Sequence, residues 1–352
     1  MKIFNKITNS YKNKTPFVAY RKPNDDAISG FFMNDESLLY ADDFSEKGFV
    51  FAPFDNQQKA ILFPKETSEF ILEDLFFDTI DFKESEFSAN KKSKEHHIKL
   101  VDKTIEEIIN NDLKKVVISR KEAIEINDFD LIKIYKKLLQ IYKNAFVYVW
   151  FHPKVGLWLG ATPETLLNIE KNIFKTMSLA GTQVYKNTQN VAWKSKELEE
   201  QQLVTDFIKS QLTGISSNLK INKKETIKAG NLLHLCTKVT GELNENSTLK
   251  TLIRALHPTP AVCGLPRENA KKFILENEQY NRSFYTGFLG ELNFQKNKTA
   301  PESSSLFVNL RCMNIIENNV SIFVGGGITK DSNSNKEWEE TVSKSKVMKR
   351  VL

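Results

Sequence analysis

The chain is short of cysteine. Its 352 residues include three, Cys236, Cys263 and Cys312; the odd number and the absence of any C-x-x-C spacing argue against a disulfide framework and a zinc site. A reducing compartment fits that usage. Long apolar runs are missing as well. The longest, Ala145 to Phe151, is far too short to span a bilayer, and Met1 to Tyr20 holds no continuous apolar core of signal-peptide length. A cytoplasmic location with no membrane contact is the expectation. Nor is there a basic stripe interleaved with aromatics: the 50 basic and 44 acidic residues, net +6, are scattered. Lysine clusters such as Lys91, Lys92 and Lys94 fall in expected loops, so no nucleic acid partner is expected. No internal repeat is found. The stretch from Gly325 to Lys330 lacks the G-x-x-x-x-G-K-[ST] spacing of a phosphate-binding P-loop.

What is present is enough chain for a sizeable core in one large or two ordinary domains. Residues 15 to 63 read as short strands, Phe17 to Tyr20, Gly30 to Met33, Gly48 to Ala52 and Ala60 to Phe63, separated by Pro/Asn/Asp turns. Residues 64 to 96, including Lys83 to Glu86, read as a charged, irregular connection in which His96 and His97 are solvated. Helical spacing begins at Ile98, with Val101, Ile105, Ile108 and Ile109 as its apolar stripe. Lys115 opens a β-branched strand, a helix is expected over Phe129 to Tyr142, and a hairpin follows around His152, which is expected to be exposed. Further on, a strand over Thr176 to Thr182, a polar connection over 214 to 229, then a segment from Asn231 to Leu243 containing His234, and helices at Thr248 to Leu256 and Arg267 to Glu276 are expected. Strands over Leu306 to Met313 and Val320 to Val324 complete the pattern. Strands and helices cluster without a steady βαβ beat, so an α+β fold with mixed or antiparallel sheets is predicted.

Two stretches carry chemistry. Gly325, Gly326 and Gly327 follow an apolar strand and read as a turn whose open amides suit a carboxylate or phosphate. The helix after them places Glu337 and Glu340 on one face, with Lys344 one turn on. Residues 196 to 206 repeat the device: Glu197 and Glu200 stand at i and i+3, and their stripe continues through Val204 and Ile208. A face that runs from carboxylates into aliphatics points inward. Four inward acids from two helices require a cation between them, and hard oxygen ligands suit Mg²⁺.

Taken together, Lys115 to Arg120, Gly160 to Glu164, Leu179 to Thr182, Lys196 to Asp206, His257 to Ala261, Leu310 to Cys312, Gly325 to Ile328 and Glu337 to Thr341 resemble the motifs of the chorismate-using enzymes. These are the isochorismate synthases, the salicylate synthases, and the large subunits of anthranilate and aminodeoxychorismate synthases. The resemblance covers roughly residues 98 to 350. It implies a large two-sheet α/β sandwich of the chorismate-binding fold, with residues 1–95 as a variable β-rich part packed on the same sandwich and 96–352 as the catalytic region. It also implies an Mg²⁺ site, with Glu200 and Glu340 as direct ligands and Glu197 and Glu337 acting directly or through water, the ion holding the ring carboxylate of chorismate.

Within the family, the lysine at the place of Lys115 implies water as the nucleophile, where anthranilate synthases carry glutamine. Lys115 would then be the general base, its neutral form favoured by burial and neighbouring cations, and Glu164 the general acid at the C4 hydroxyl. Ala180 stands where aminodeoxychorismate synthases of the lysine-nucleophile type carry their lysine, which disfavours that activity. Gly325 to Gly327, Arg311 and Tyr285 are expected to bind carboxylates. Ala180, Gly181, Thr182, His234, His257 and Lys344 complete the expected substrate contacts. The loop His257 to Ala261 looks more like that of isochorismate synthases, with salicylate synthase as the alternative. The expectation is an isomerase of menaquinone or siderophore biosynthesis, menaquinone first, working as a monomer without a glutaminase partner.

Overall fold

The computed structural model describes residues 1–80, 90–185, 191–229 and 232–352; Lys83 to Glu86 and Asn231 lie outside them. Two antiparallel sheets stack between outer helices. The nine-stranded sheet runs, edge to edge, Gly264–Leu265, Lys115–Glu125, Asn319–Ile328, Cys312–Ile316, Gly156–Thr162, Phe146–His152, Phe17–Arg21, Ala27–Met33 and Ser68–Asp74. The ten-stranded sheet runs Ser216–Ile221, Leu232–Leu243, Ile173–Val184, Thr165–Glu170, Ser303–Val308, Phe288–Phe294, Gly48–Ala52, Ala60–Pro64 and Leu39–Ala41, with Glu225–Ala229 also paired to Leu232–Leu243. The early strands therefore divide between both sheets.

Strand alternation explains the layering. In Phe146–His152 every residue is buried, because Phe146, Tyr148 and Trp150 enter the inter-sheet core while Val147, Val149 and Phe151 face the outer helices. Period-two side-chain placement makes such a strand apolar on both faces. The inter-sheet layer is aromatic: Phe51 stacks on Phe284 with ring centroids 4.3 Å apart, and Phe146 on Phe307 at 4.2 Å. Helices Lys2–Lys12 and Leu131–Ile141 cover one sheet, and Ser195–Thr213 and Leu249–Leu256 cover the other.

Several expectations are corrected. The chain starts with a helix, whose Ile3, Phe4 and Ile7 are buried. The connection over 64 to 96 contains the strand Ser68–Asp74 and the first turns of helix Lys91–Asn110. The buried stripe of that helix is His97, Leu100, Val101, Thr104 and Ile108, whereas Ile109 is exposed. His97 packs against Trp338, and burial pushes its pKa down to about 4. His152 is also buried, its ring against Trp150 and its Nδ1 accepting from the Lys154 amide at 3.1 Å. The polar run 214 to 229 forms two strands, Ser216–Ile221 and Glu225–Ala229, which satisfy their backbone groups against Leu232–Leu243. Among the described residues no helix is long and apolar enough to cross a membrane.

Candidate active site

The two glutamate helices cover different sheets and meet at one end of the sandwich. Helix Ser195–Thr213 lies on Ile173–Val184, and helix Ser334–Lys349 lies on Asn319–Ile328. Between them opens a cleft of about 870 Å³ including its mouth, within the range of small-molecule sites. Glu164, Ala180, Gly181, Thr182, Glu197, Glu200, His234, Tyr285, Arg311, Gly325, Gly326, Gly327, Glu340 and Lys344 all line it.

The glycines form strand rather than turn, which corrects the sequence reading. Gly325, Gly326 and Gly327 pair with Ser119, Ile118 and Val117. Ser119 donates its amide to Glu278 and Val117 donates to Cys263 O, both at 2.7 Å. Alternation in an antiparallel ladder then directs the amides of Gly325 and Gly327 away from that partner strand. On the other side Cys312–Ile316 pairs no further along than Phe323, so this edge opens to the cleft. Glycine is needed for close approach: a Cβ on Gly327 would stand 2.6 Å from Glu200 Oε1 and 2.8 Å from Lys115 Cε.

Lys115 reaches the site from behind the glycines. Its side chain is fully buried, with Nζ 2.9 Å from Glu200 Oε1. Its strand is anchored by Arg282, which donates to Val117 O at 2.6 Å and Val262 O at 3.0 Å while paired with buried Glu278 at 2.6 Å. Across the cleft, Glu164 is buried; burial raises its pKa to about 8 against the opposing pull of Lys115 and Arg311. Its carboxyl is protonated at neutral pH.

Glu164 and Arg311 both sit where the chain crosses between sheets. Glu164 lies between Gly156–Thr162 and Thr165–Glu170, and Arg311 between Ser303–Val308 and Cys312–Ile316. The run Leu306 to Met313 is thus two strands in two sheets, with Arg311 in left-handed conformation at φ 46°. Its guanidinium lines the cleft and makes no hydrogen bond or ion pair with any described residue. His234 lies 3.1 Å from the Thr182 hydroxyl through Nδ1, while Nε2 has no hydrogen-bond partner among the described residues. Burial, then Arg311 and Lys344, lowers its pKa to about 3, leaving a neutral ring. Gly181, at φ +73°, forms a bulge in its strand and brings the backbone against Glu197.

The acids face lysines. Lys196 pairs with Glu337 at 2.6 Å, Lys344 with Glu340 at 2.6 Å, and Lys115 with Glu200. Glu337 is raised by its burial and by the charge of Glu340. Glu340 is lowered: burial opposes ionisation, but Lys344, Lys196 and Arg311 outweigh it. Glu197 accepts from the Lys194 amide at 3.1 Å, closing its helix N-terminus. Among the described residues no three His, Cys, Asp or Glu side chains surround one point at coordination distance. The donor chemistry nevertheless fits a hard divalent ion: all four groups are carboxylates, and Glu337 Oε2 and Glu340 Oε1 converge over Gly326, 3.4 and 3.9 Å from where a Cβ would stand.

His257 is the exception. It lies outside this cleft, at a separate cavity with Phe44, Arg254 and Phe288, and its ring packs edge-on against Phe288. Its substrate-binding assignment is corrected to a structural one: burial lowers its pKa to about 3, and the helix before it closes on its amide. The sequence reading missed Lys196, Thr286 and Phe323 as lining residues. Of these only Lys196 had a signal, its position directly before the first acid.

A two-sheet antiparallel sandwich with one cleft lined by a free guanidinium, open strand amides and acid–lysine pairs defines a binder of small polar anions. The chain belongs to the chorismate binding enzyme family, whose profile matches residues 60–352. A vibriobactin-specific isochorismate synthase of Vibrio cholerae is 30% identical over 249 residues, covering 67% of this chain and 61% of that one. Isochorismate synthase MenF of Haemophilus influenzae is 28% identical over 257 residues, 70% of this chain and 57% of that one. These matches span less than two thirds of the relatives' length. Among solved structures, a DhbC isochorismate synthase of Bacillus anthracis superposes with TM-score 0.81 at 23% identity, covering 99% of this chain and 98% of that one. The resemblance and fold expected from the motifs are borne out.

Proposed function

We propose that the chain is an Mg²⁺-dependent isochorismate synthase, converting chorismate reversibly to isochorismate. The observation that carries the proposal is buried Glu164, its acidity weakened by that burial, set against buried Lys115 at a cleft lined for an anion. Lys115, in its neutral form and so no longer the cation paired with Glu200, takes a proton from water as the water oxygen bonds to C2, both ring double bonds shift one position, and the C4 hydroxyl leaves as water with the proton of Glu164. Arg311 and the amides of Gly325 and Gly327 hold carboxylate oxygens, since a guanidinium fork matches a carboxylate. Neutral His234, oriented by Thr182, offers Nε2 to a substrate oxygen. Glu200 and Glu340, with Glu197 and Glu337, would hold the metal, which supplies charge neutralisation at the ring carboxylate. Ala180 leaves the C2 side free of a competing amine. Relatives named for menaquinone and for siderophore pathways match to a similar extent, so the proposal extends to the reaction and stops short of the pathway.

The test is to incubate the purified protein with chorismate and Mg²⁺ and resolve products by liquid chromatography. Isochorismate alone, approached from either side and abolished by chelation, is expected. Stoichiometric salicylate and pyruvate would make it a salicylate synthase, and no turnover would remove the catalytic reading.

A further inference from the structure

The three lysines that neutralise the acids are held differently. Lys115 is fully buried, with no room to leave. Lys344 is anchored twice, to Glu340 and to Gly325 O at 2.9 Å. Lys196 is one-third exposed, and among the described residues its ammonium has a single acceptor, Glu337. Besides Glu337, which it touches, the ammonium also feels the charges of Glu200 and Glu340, so a partly exposed cation stands among three of the four candidate metal ligands.

Lys196 also lines a second cavity of about 710 Å³ including its mouth, beside the first, with Glu199 and Asp331 in its wall. Glu199 is three residues on along the same helix, within reach of the Lys196 side chain. A displaced ammonium therefore has an acid to meet on the far side of the rim. Glu337, in contrast, is 3% exposed and cannot follow it.

We propose that Lys196 is a built-in counter-cation that holds Glu337 in place before metal arrives, and that metal binding displaces it toward Glu199 and Asp331. This rests on the metal-dependent reading above. A long, hydrated ammonium competes with a divalent ion for the same carboxylate, and it keeps a buried acid paired in the metal-free protein. Lys196 is thus a positioning residue that sets metal affinity.

The test measures metal binding by the full chain without substrate, using Mn²⁺ by electron paramagnetic resonance and Mg²⁺ by calorimetry. In Lys196→Met both dissociation constants should tighten about tenfold or more, as expected on removing a competitor from a closely paired charge. The metal-free melting temperature should fall and saturating metal should restore it. Lys196→Arg, which keeps a cation, should stay within about threefold of wild type by the same reasoning. In the unmutated protein, amine labelling read by mass spectrometry should show Lys196 more reactive once Mg²⁺ is added. Unchanged or weaker metal affinity in Lys196→Met, or unchanged labelling, would overturn the inference. Failure of the wild-type chain to bind either ion would overturn it together with the metal-dependent reading, whereas wild-type binding with no shift in the variant would overturn the inference alone.

Discussion

Replacing Glu164 by Gln tests the site without any substrate. Burial holds the Glu164 carboxyl at about 8, against 4.5 for an ordinary glutamate. The folded state therefore keeps its proton over a pH range in which the unfolded chain has lost it. Below pH 4.5 both states are protonated and the favourable term is fully present. Between 4.5 and about 8 the unfolded state ionises alone, and the wild type loses roughly 1.4 kcal/mol per pH unit relative to the Gln variant. Above about 8 both are ionised and the loss levels off, at roughly 5 kcal/mol by the same conversion.

The assay is urea unfolding of wild type and Glu164→Gln at unit steps from pH 5 to pH 9. The difference between their unfolding free energies should change in the variant's favour through this window and then flatten. Parallel curves, within about 0.5 kcal/mol throughout, would refute the burial of an ionisable acid, because the titrations of groups distant from Glu164 cancel in the difference. Turnover should move independently of stability. The wild-type rate should fall as pH rises through about 8, and the variant should lose about 10²-fold or more at every pH.

Two further substitutions probe the walls of the cleft. Gly327→Ala would drive a methyl against Glu200 and the Lys115 side chain; turnover should fall at least about tenfold with little change in far-ultraviolet circular dichroism, as small misplacements in a reacting site do. Arg311→Lys keeps the charge but not the fork, so KM for chorismate should rise about tenfold or more while the fold is retained, measured by initial rates.

The legible parts of the chain were those where a local pattern survives burial. The inward stripe from Glu200 through Val204 and Ile208 is present, with Val204 and Ile208 fully buried, because a helix face keeps its period wherever it packs. His97 was misread because charged neighbours suggested solvent; its spacing to Leu100, Val101 and Thr104 was the better guide. The glycine segment was misread for a different reason. Glycine triplets usually make turns, and only long-range pairing with Val117 to Ser119 turns this one into a strand. The split of Leu306 to Met313 had no local signal at all. Leu306 to Asn309 before the crossing and Cys312 and Met313 after it are buried, so the run passes between stacked sheets with no turn signal to mark the link.

That crossing accounts for the site's placement. Glu164 and Arg311 each occupy a short link between the two sheets, where the backbone leaves its ladder and a side chain can enter the space between layers. The links lie side by side: Val308 donates its amide to Glu164 O at 3.0 Å, and the Thr162 hydroxyl donates to Val308 O at 2.6 Å. Lys115 comes from a strand of one sheet, and Ala180, Thr182 and His234 from strands of the other. The distance from Lys115 to Glu164 is therefore set by how the sheets stack, which the aromatic layer around Phe51, Phe146 and Phe284 fixes through interlocked rings. Rigid strands hold Lys115 and the crossings hold Glu164 and Arg311, whereas Lys196, paired only at its tip and one-third exposed at the rim beside a second cavity, is the lysine best placed to move.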